Sequence, residues 1–563
     1  MPTIQVSYKD LCNLIGKSLS LEELEDIILL VKGELEDATP QPDGDYELSI
    51  EITSDRPDML SAEGLARTIK GFLEIELGIP KYEVAPPKIV ARVDRSVLPV
   101  RPCVAFAVVR GIKFNDYLIR QIMQLQEKLH ETYGRKRRKV SIGIHDLDKV
   151  NPPFKYFAED PDKIRFVPLG ETKEMSGREI LEKHPKGVTY GHIIKDFNRY
   201  PLIIDRDGNV LSMPPIINSI VTQVTEQTRN LFIDVTGTEW DAVLYALNII
   251  VTNLAERGGK IEAVRVEHPE RSFVSPDLSL KTMNVNIDFI NKILGYQLDA
   301  PQIIRCLKKC RLDAELVSEN EIRVYIPAYR TDFLHPVDIA EEVAIGFGYN
   351  RIEPETPPTL TFGKELDDAK FCRKIRDIMV GMGFQEVYFY VMSSEDIQVH
   401  KMNLPRLELV TILNPTSQEF TVLRRWLLPG LLLILSRNSH VPLPHKIFEV
   451  GDVVEIDESL ENKTRNVKHV AAVISDHSTS YEDIQAVVYA LLRSLGIEFK
   501  VQASEHPSFI NGRCATILIG GKEAGIMGEV NPEVLMNFGI ENPTTAFELD
   551  IDALLAYWKA NKK

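Results

Sequence analysis

Apolar positions along the chain recur with two periods, every three to four residues where helices are expected and every second residue where strands are expected. An extended Thr3-Ile4-Gln5-Val6 leads into a helical pattern over residues 8–15 and an acidic amphipathic stretch over 21–31. Leu48-Ser49-Ile50-Glu51-Ile52 alternates as a strand does. Ser54-Asp55-Arg56-Pro57-Asp58-Met59-Leu60 reads as a turn, and a helix starting near Ser61 runs toward Leu77 until Gly78-Ile79-Pro80 stops it. The unpatterned stretch through Pro86-Pro87 reads as a linker.

Beyond it, Cys103 to Val109 is a buried strand by its β-branched and aromatic content. A helix over 117–133 ends in Gly134 and the basic run Arg135-Lys136-Arg137-Arg138-Lys139. Residues 230–236 form a strand, and 241–256 a long apolar helix closed by Gly258-Gly259, suited to a left-handed cap. Helical patterns follow at 287–294 and 300–310, a strand pair at 314–317 and 322–327, and then an acidic helix. Pro354 through Pro358 is a second expected linker. The last segment opens with a helix over 371–382 and has strands near 386–390 and 446–450.

At 563 residues the chain is too long for one core, and about three to five domains are expected. A composition of 44% hydrophobic and 26% charged residues is that of a globular protein. The net charge of −16 excludes a surface that sheathes nucleic acid all round, though not a local basic patch. Six scattered cysteines form no CxxC pair; Cys306 and Cys310, one helical turn apart, read as buried thiols. No signal peptide is evident, and the most apolar run, 426–435, is broken by Pro429-Gly430 and too short to span a bilayer. A cytoplasmic protein without membrane contact is the expectation.

The densest chemistry lies in Arg330-Thr-Asp332-Phe-Leu-His-Pro-Val-Asp338-Ile-Ala-Glu341-Glu342. Pro336 fits the first turn of a helix, and Asp338, Glu341 and Glu342 at i, i+3 and i+4 share one side of it, with Asp332 just ahead. Four carboxylates this close repel unless protonated, hydrogen-bonded or bridged by a hard cation, for which oxygen ligands favour Mg²⁺ or Ca²⁺ over zinc. A solvated acidic face at a helix N-terminus satisfies the same spacing.

Arg330-Thr-Asp332…Asp338-Ile-Ala-Glu341-Glu342-Val…Gly346-Phe-Gly348-Tyr349-Asn350 resembles the B5 signature of phenylalanyl-tRNA synthetase β subunits, whose matching carboxylates bind Mg²⁺. Arg56-Pro57-Asp58-Met59-Leu60…Gly64-Leu65-Ala66-Arg67 resembles that family's N-terminal motif, and Ile233 through Thr238 its B3/B4 editing domain. Asn414-Pro415…Leu428-Pro429-Gly430-Leu431 and Phe448-Glu449-Val450-Gly451 resemble its catalytic-like B6/B7 region. The resemblance implies a multidomain α+β chain: a B1-like domain over 1–85, a mixed α/β editing domain over 88–270, a small winged-helix-like B5 domain over 271–352, and a class II synthetase-like domain with an antiparallel sheet over 360–563. No inserted OB-fold or appended ferredoxin-like module is legible, as expected of the archaeal and eukaryotic type.

The resemblance also implies a function. The chain is expected to support ATP-dependent attachment of phenylalanine to tRNA(Phe) by an α subunit, in an α2β2 tetramer, and to hydrolyse tyrosine wrongly placed on that tRNA. An aromatic pocket cannot strongly reject an isostere that adds only a hydroxyl, so a second site is needed. Asp234 and Thr236, alternate residues of one strand, face the same way, and Leu202, Ser212 and Asn218 in 201–218 are expected to line the pocket with them. No Ser-His-Asp or Cys-His pairing is legible; His145 in Ser141-Ile-Gly-Ile-His145 reads as structural. Arg135, Lys136, Arg137, Arg138 and Lys139 exceed what a helix C-terminus needs and suit RNA phosphates. Arg424-Arg425 lacks the acidic partner of an ATP site, so the last domain is expected to be inactive in aminoacylation. A non-enzymatic tRNA-binding scaffold subunit is the alternative.

Overall fold

A computed structural model describes residues 1–357, 359 and 361–561. It divides into two compact units, Met1–Thr356 and Pro357–Lys563, so the chain parts within the expected 354–358 linker, of which Pro358 lies outside the described residues.

The first unit opens with a three-stranded antiparallel sheet in which Tyr46–Ile52 lies between Thr3–Ser7 and Gly33–Pro40. Helix Ala62–Phe72 starts where its sequence says it must: the Ser61 side chain accepts from the Gly64 amide, one of the donors a helix start leaves unpaired. Gly64 itself is fixed by a close approach, since a Cβ there would meet the Asp58 carbonyl oxygen at 1.8 Å.

A ten-stranded mixed sheet forms the centre of this unit. At one end Asn230–Gly237 is flanked by Cys103–Arg110 and Val140–Asp146, both antiparallel to it; at the other lie Tyr200–Ile204, Val210–Met213 and Ile217–Asn218. Pro86-Pro87 is not a linker: it sits inside strand Val84–Val93, which pairs in parallel with Lys260–Glu267. The register jumps from Glu262↔Ala85 to Val264↔Ile89, and this bulge accommodates two residues that have no N–H to give the ladder. Trp240–Glu256 packs its buried side chains on the sheet, with Gly258 behind it at φ +84° as expected.

The B5-like part pairs three strands (Lys281–Asn286, Glu321–Ile326, Asp313–Ser318) with helices Ile287–Leu294, Ala300–Lys309 and Pro336–Phe347 around Ile290, Leu307, Val324 and Val343. Cys306 and Cys310 are free, buried thiols in it. The three expected segments thus pack as one unit.

The second unit is a seven-stranded sheet, antiparallel apart from its Gln385–Glu386 edge, and the strand expected near 386–390 is therefore only a two-residue pairing. Asp367–Gly381, Tyr481–Ser494 and Ile551–Asn561 share one core with this sheet, while Leu428–Arg437 and Pro532–Phe538 share another. Among the described residues no helix is long and apolar enough to cross a membrane.

Candidate functional site

Strand Asn230–Gly237 is buried from Leu231 onward, so any polar side chain on it must find a partner inside the protein. Its register places Thr236 opposite Ser141, Asp234 opposite Gly143 and Phe232 opposite His145, all on one face. His145 reaches diagonally to Asp234: Nε2 lies 2.6 Å from Oδ2, and Nδ1 lies 2.8 Å from Thr222 Oγ1. The intervening Gly143 makes this contact possible, because a Cβ there would come within 2.1 Å of Asp234 Oδ2. His145 is not a lone structural residue, then; 89 positions separate it from a carboxylate that only strand pairing brings within reach.

Beside Asp234 opens a cavity of about 510 Å³, walled by isoleucines of 119–144 and 216–217 and lined by Ser212, Asn218, His130 and Arg137. Ser212 Oγ is buried and without a hydrogen-bond partner, and Oδ1 of Asp234 makes no hydrogen bond to a described residue. Asn218 sits directly across from Ser212 in the neighbouring strand. An apolar chamber with a few converging polar atoms left unused is the form of a small-ligand site.

Two residues expected to line the pocket do not. Leu202 packs behind it with Met213 and Ile216. Thr236 Oγ1 accepts from Arg101 Nε at 2.9 Å and lies 3.0 Å from Ser141 Oγ, so its hydroxyl is already engaged. Sequence reasoning missed Arg101, a buried guanidinium that meets only neutral oxygens: those of Thr236 and the carbonyls of Arg137 and Arg138. Burial pushes it down to about 10.

The basic run is not a solvated helix end. The helix closes at Glu131, and Arg135, Lys136 and Arg137 all take positive φ, in a turn that buries Arg137 and leaves its neighbours exposed. Arg137 points inward, donating to the carbonyls of Pro215 and Ile216 and to Glu127 at 2.6 Å, so it is a wall of the cavity and not a free phosphate ligand. Glu127 is held down to about 2 although burial works the other way, because His130 and Arg137 face it. Burial pushes the His130 imidazole down to about 4, and its Nε2 accepts from the Ile142 amide. Arg135, Lys136 and Arg138 stay exposed, while Lys139 pairs with Glu239 at 2.8 Å.

The carboxylate quartet does not converge. Arg330 takes two of its members, Asp332 at 2.7 Å and Glu342 at 2.7 Å, and holds the Asp332 carboxyl well below the usual range against the pull of burial. Asp338 is turned back to accept from the Leu334 and His335 amides as the third residue of a capping box. Glu341 reaches Lys32, 309 residues earlier, at 2.8 Å. Among the described residues no three His, Cys, Asp or Glu side chains are grouped to hold an ion. As placed, the donor set fits ion pairs, and a divalent cation would have to displace Arg330.

In the second unit Arg424 does have an acidic partner, Glu449 on the strand His445–Ile456, at 2.7 Å. Both are buried, and burial raises the Glu449 carboxyl. A Cβ at Gly451 would meet Arg424 Nη2 at 2.4 Å, so the strand backbone packs closely against this pair.

Comparison with known proteins places these features in a family. Residues 1–75 match the Phe-tRNA synthetase beta subunit B1 domain, 283–349 the tRNA synthetase B5 domain, and 352–551 the phenylalanyl tRNA synthetase beta chain CLM domain. The phenylalanine–tRNA ligase beta subunit of Methanocaldococcus jannaschii is 47% identical over 553 residues, covering 98% of this chain and 100% of that protein. That of Pyrococcus furiosus is 44% identical over 555 residues, with the same coverage. An N-terminal fragment of the Pyrococcus horikoshii phenylalanyl-tRNA synthetase β subunit superposes with a TM-score of 0.60 at 46% identity, covering 62% of this chain and 99% of the fragment. With near full-length identity at this level and three domains matched in order, the chain belongs to the phenylalanine–tRNA ligase beta-subunit family.

Proposed function

We propose that this β subunit supports ATP-dependent charging of tRNA(Phe) on an α partner and removes mischarged tyrosine in the cavity beside Asp234. The observation that carries the reading is an apolar chamber of about 510 Å³ lined by Asp234, which is engaged only through Oδ2, and by Ser212, whose buried hydroxyl has no partner. A tyrosine ring fills the apolar walls and its hydroxyl donates to the carboxylate; phenylalanine fills the walls and leaves that buried oxygen dry. Hydrolysis then needs a held water: it adds to the ester carbonyl, the carbonyl carbon–oxygen bond to the RNA breaks, and tyrosine and the RNA hydroxyl leave. Asn218 stands beside this chamber as a further polar group for the bound end.

The RNA contacts follow from the turn at 135–139. Arg135, Lys136, Arg138 and Lys139 line an open groove of about 1500 Å³, and a second of about 710 Å³ shares Arg135 and Lys139 with it. A concentrated positive wall on a chain of net charge −16 suits a phosphate backbone. ATP and Mg²⁺ belong to the charging reaction on the α subunit, which fits the packed state of Arg424 and Glu449. An α2β2 tetramer in the cytoplasm is the setting this reading expects.

Asp234→Ala tests it. With α present, deacylation of Tyr-tRNA(Phe) is expected to fall roughly 10- to 100-fold, the scale of one hydrogen bond to a buried charge, while charging with phenylalanine persists. A scaffold without editing chemistry predicts unchanged clearance of mischarged tRNA.

A further inference from the structure

We propose that His145 is a positioning residue that sets which amino-acid side chain the cavity accepts, by holding one oxygen of Asp234 and leaving the other to a ligand hydroxyl. This rests on reading the cavity as an aminoacyl pocket. His145 is fully buried and does not line the cavity, so it acts through Asp234 and not by touching the ligand.

Three features fix the imidazole. Its Nδ1 lies 2.8 Å from Thr222 Oγ1, and that hydroxyl is itself placed by the Ser219 carbonyl at 3.2 Å. Its ring lies against Phe232 at 6.3 Å between centroids. Its Nε2 lies 2.6 Å from Asp234 Oδ2 with no side chain at Gly143 to intervene. The 2.6 Å Nε2···Oδ2 contact engages Oδ2 and closes it to any ligand.

The consequence is a single acceptor in an apolar chamber. A carboxylate free to rotate would offer either oxygen to either neighbour and would draw water to both, which blurs the difference between a ring that bears a hydroxyl and one that does not. Clamped by His145, Asp234 has Oδ1 alone to offer, in the cavity that the unpartnered Ser212 Oγ also lines. The ligand must then bring its own donor or leave a buried acceptor unpartnered, and that is what makes a polar site reject an isostere strongly.

The test compares the full chain, assembled with its α partner, in three forms: parent, His145→Gln and His145→Leu. Two ratios are measured for each, kcat/KM for hydrolysis of tyrosyl- against phenylalanyl-tRNA(Phe), and Kd for tyrosinamide against phenylalaninamide. His145→Gln keeps an N–H to aim at Oδ2 and is expected to retain both ratios within a few-fold. His145→Leu is expected to collapse both on the order of 10-fold or more, through loss of the tyrosine compound and with phenylalanine little changed. Thr222→Val, which removes the partner of Nδ1 but leaves the imidazole, is expected to lower the ratios by less and guards against a His145→Leu chain that does not fold. Equal loss for both amino acids would mean a merely structural histidine and overturns the proposal, as do unchanged ratios in His145→Leu. If the parent hydrolyses neither ester, the editing reading fails; the amide ratios still decide the role of His145.

Discussion

Two acidic sites in the first unit look alike in sequence and differ in what their oxygens still have to do. At 332–342 four carboxylates crowd one helix start, yet each is met: two by Arg330, one by backbone amides, one by Lys32. At Asp234 a single carboxylate stands in an apolar chamber with one oxygen held by His145 and the other free. Density of charge marks the first, unused hydrogen-bonding capacity the second. The first arrangement contributes to the fold, since removing Arg330 strands two buried charges; the second keeps unspent hydrogen-bonding capacity on a cavity wall, which suits a ligand.

The sharpest way to break this contrast is to remove the central cation of the first site. Arg330→Met leaves Asp332 and Glu342 buried and unpaired, and a loss of about 3–5 kcal/mol is expected from uncompensated buried charge. Hydrogen exchange over residues 321–347 in urea reads it. Asp234→Asn, in contrast, keeps the shape and a hydrogen bond to His145, so a shift of only about 1 kcal/mol is expected while selectivity for tyrosine goes. Equal destabilisation by both substitutions would erase the distinction.

The cavity site also carries a pH signature, in a higher window than the one the depressed Asp332 carboxyl gives the ion-pair site. His130 has its folded value at about 4, below the ordinary 6.5. Between these values the unfolded chain takes a proton that the folded one refuses. The stability is therefore fully present above about 6.5 and lost as pH falls toward about 4, by about 3 kcal/mol in all at 1.36 kcal/mol per unit. His130→Gln, whose side-chain oxygen still accepts from the Ile142 amide, is expected to flatten that slope in hydrogen exchange over 116–146. His506 shifts the same way through burial, but it lies in the other unit and does not touch this readout.

How much of this could be read along the chain depends on how far apart the partners are. Helix starts were legible because caps are local, as Ser61 is for Ala62–Phe72, whereas ends were read late: toward 77 where the helix stops at Phe72, and at 310 where it stops at Lys309. The spacing of Asp338, Glu341 and Glu342 was legible too, and the helix is there; what it could not show is that Lys32 and Arg330 answer for the charge. In the cavity Ser212, Asn218 and Asp234 meet as expected, whereas Leu202 and Thr236 fall behind the lining, because strand alternation gives a face but not what already covers it. The alternation of Ser141, Gly143 and His145 put a histidine and a missing side chain on one face, and that was the one local hint of the pair with Asp234. Pro86-Pro87 misled for a physical reason: a bulge lets a sheet absorb the residues that normally end it.

The smallest effects sharpen what the quartet does. Asp338→Ala removes the capping box of Pro336–Phe347 and is expected to cost about 1 kcal/mol, a cap's worth and not a metal site's. Magnesium then separates the two readings of the same four residues. With Arg330 in place, millimolar Mg²⁺ or its chelation is expected to leave the parent's midpoint for 321–347 unchanged, because Asp332 and Glu342 already have their cation. In Arg330→Gln the two carboxylates lose it, and a divalent ion that binds only the folded state should restore part of the stability in proportion to RT ln(1 + [Mg²⁺]/Kd). A parent that already weakens on chelation would show that an ion shares this site with the guanidinium, and the contrast between a fully met acidic cluster and an open acidic pocket would have to be redrawn.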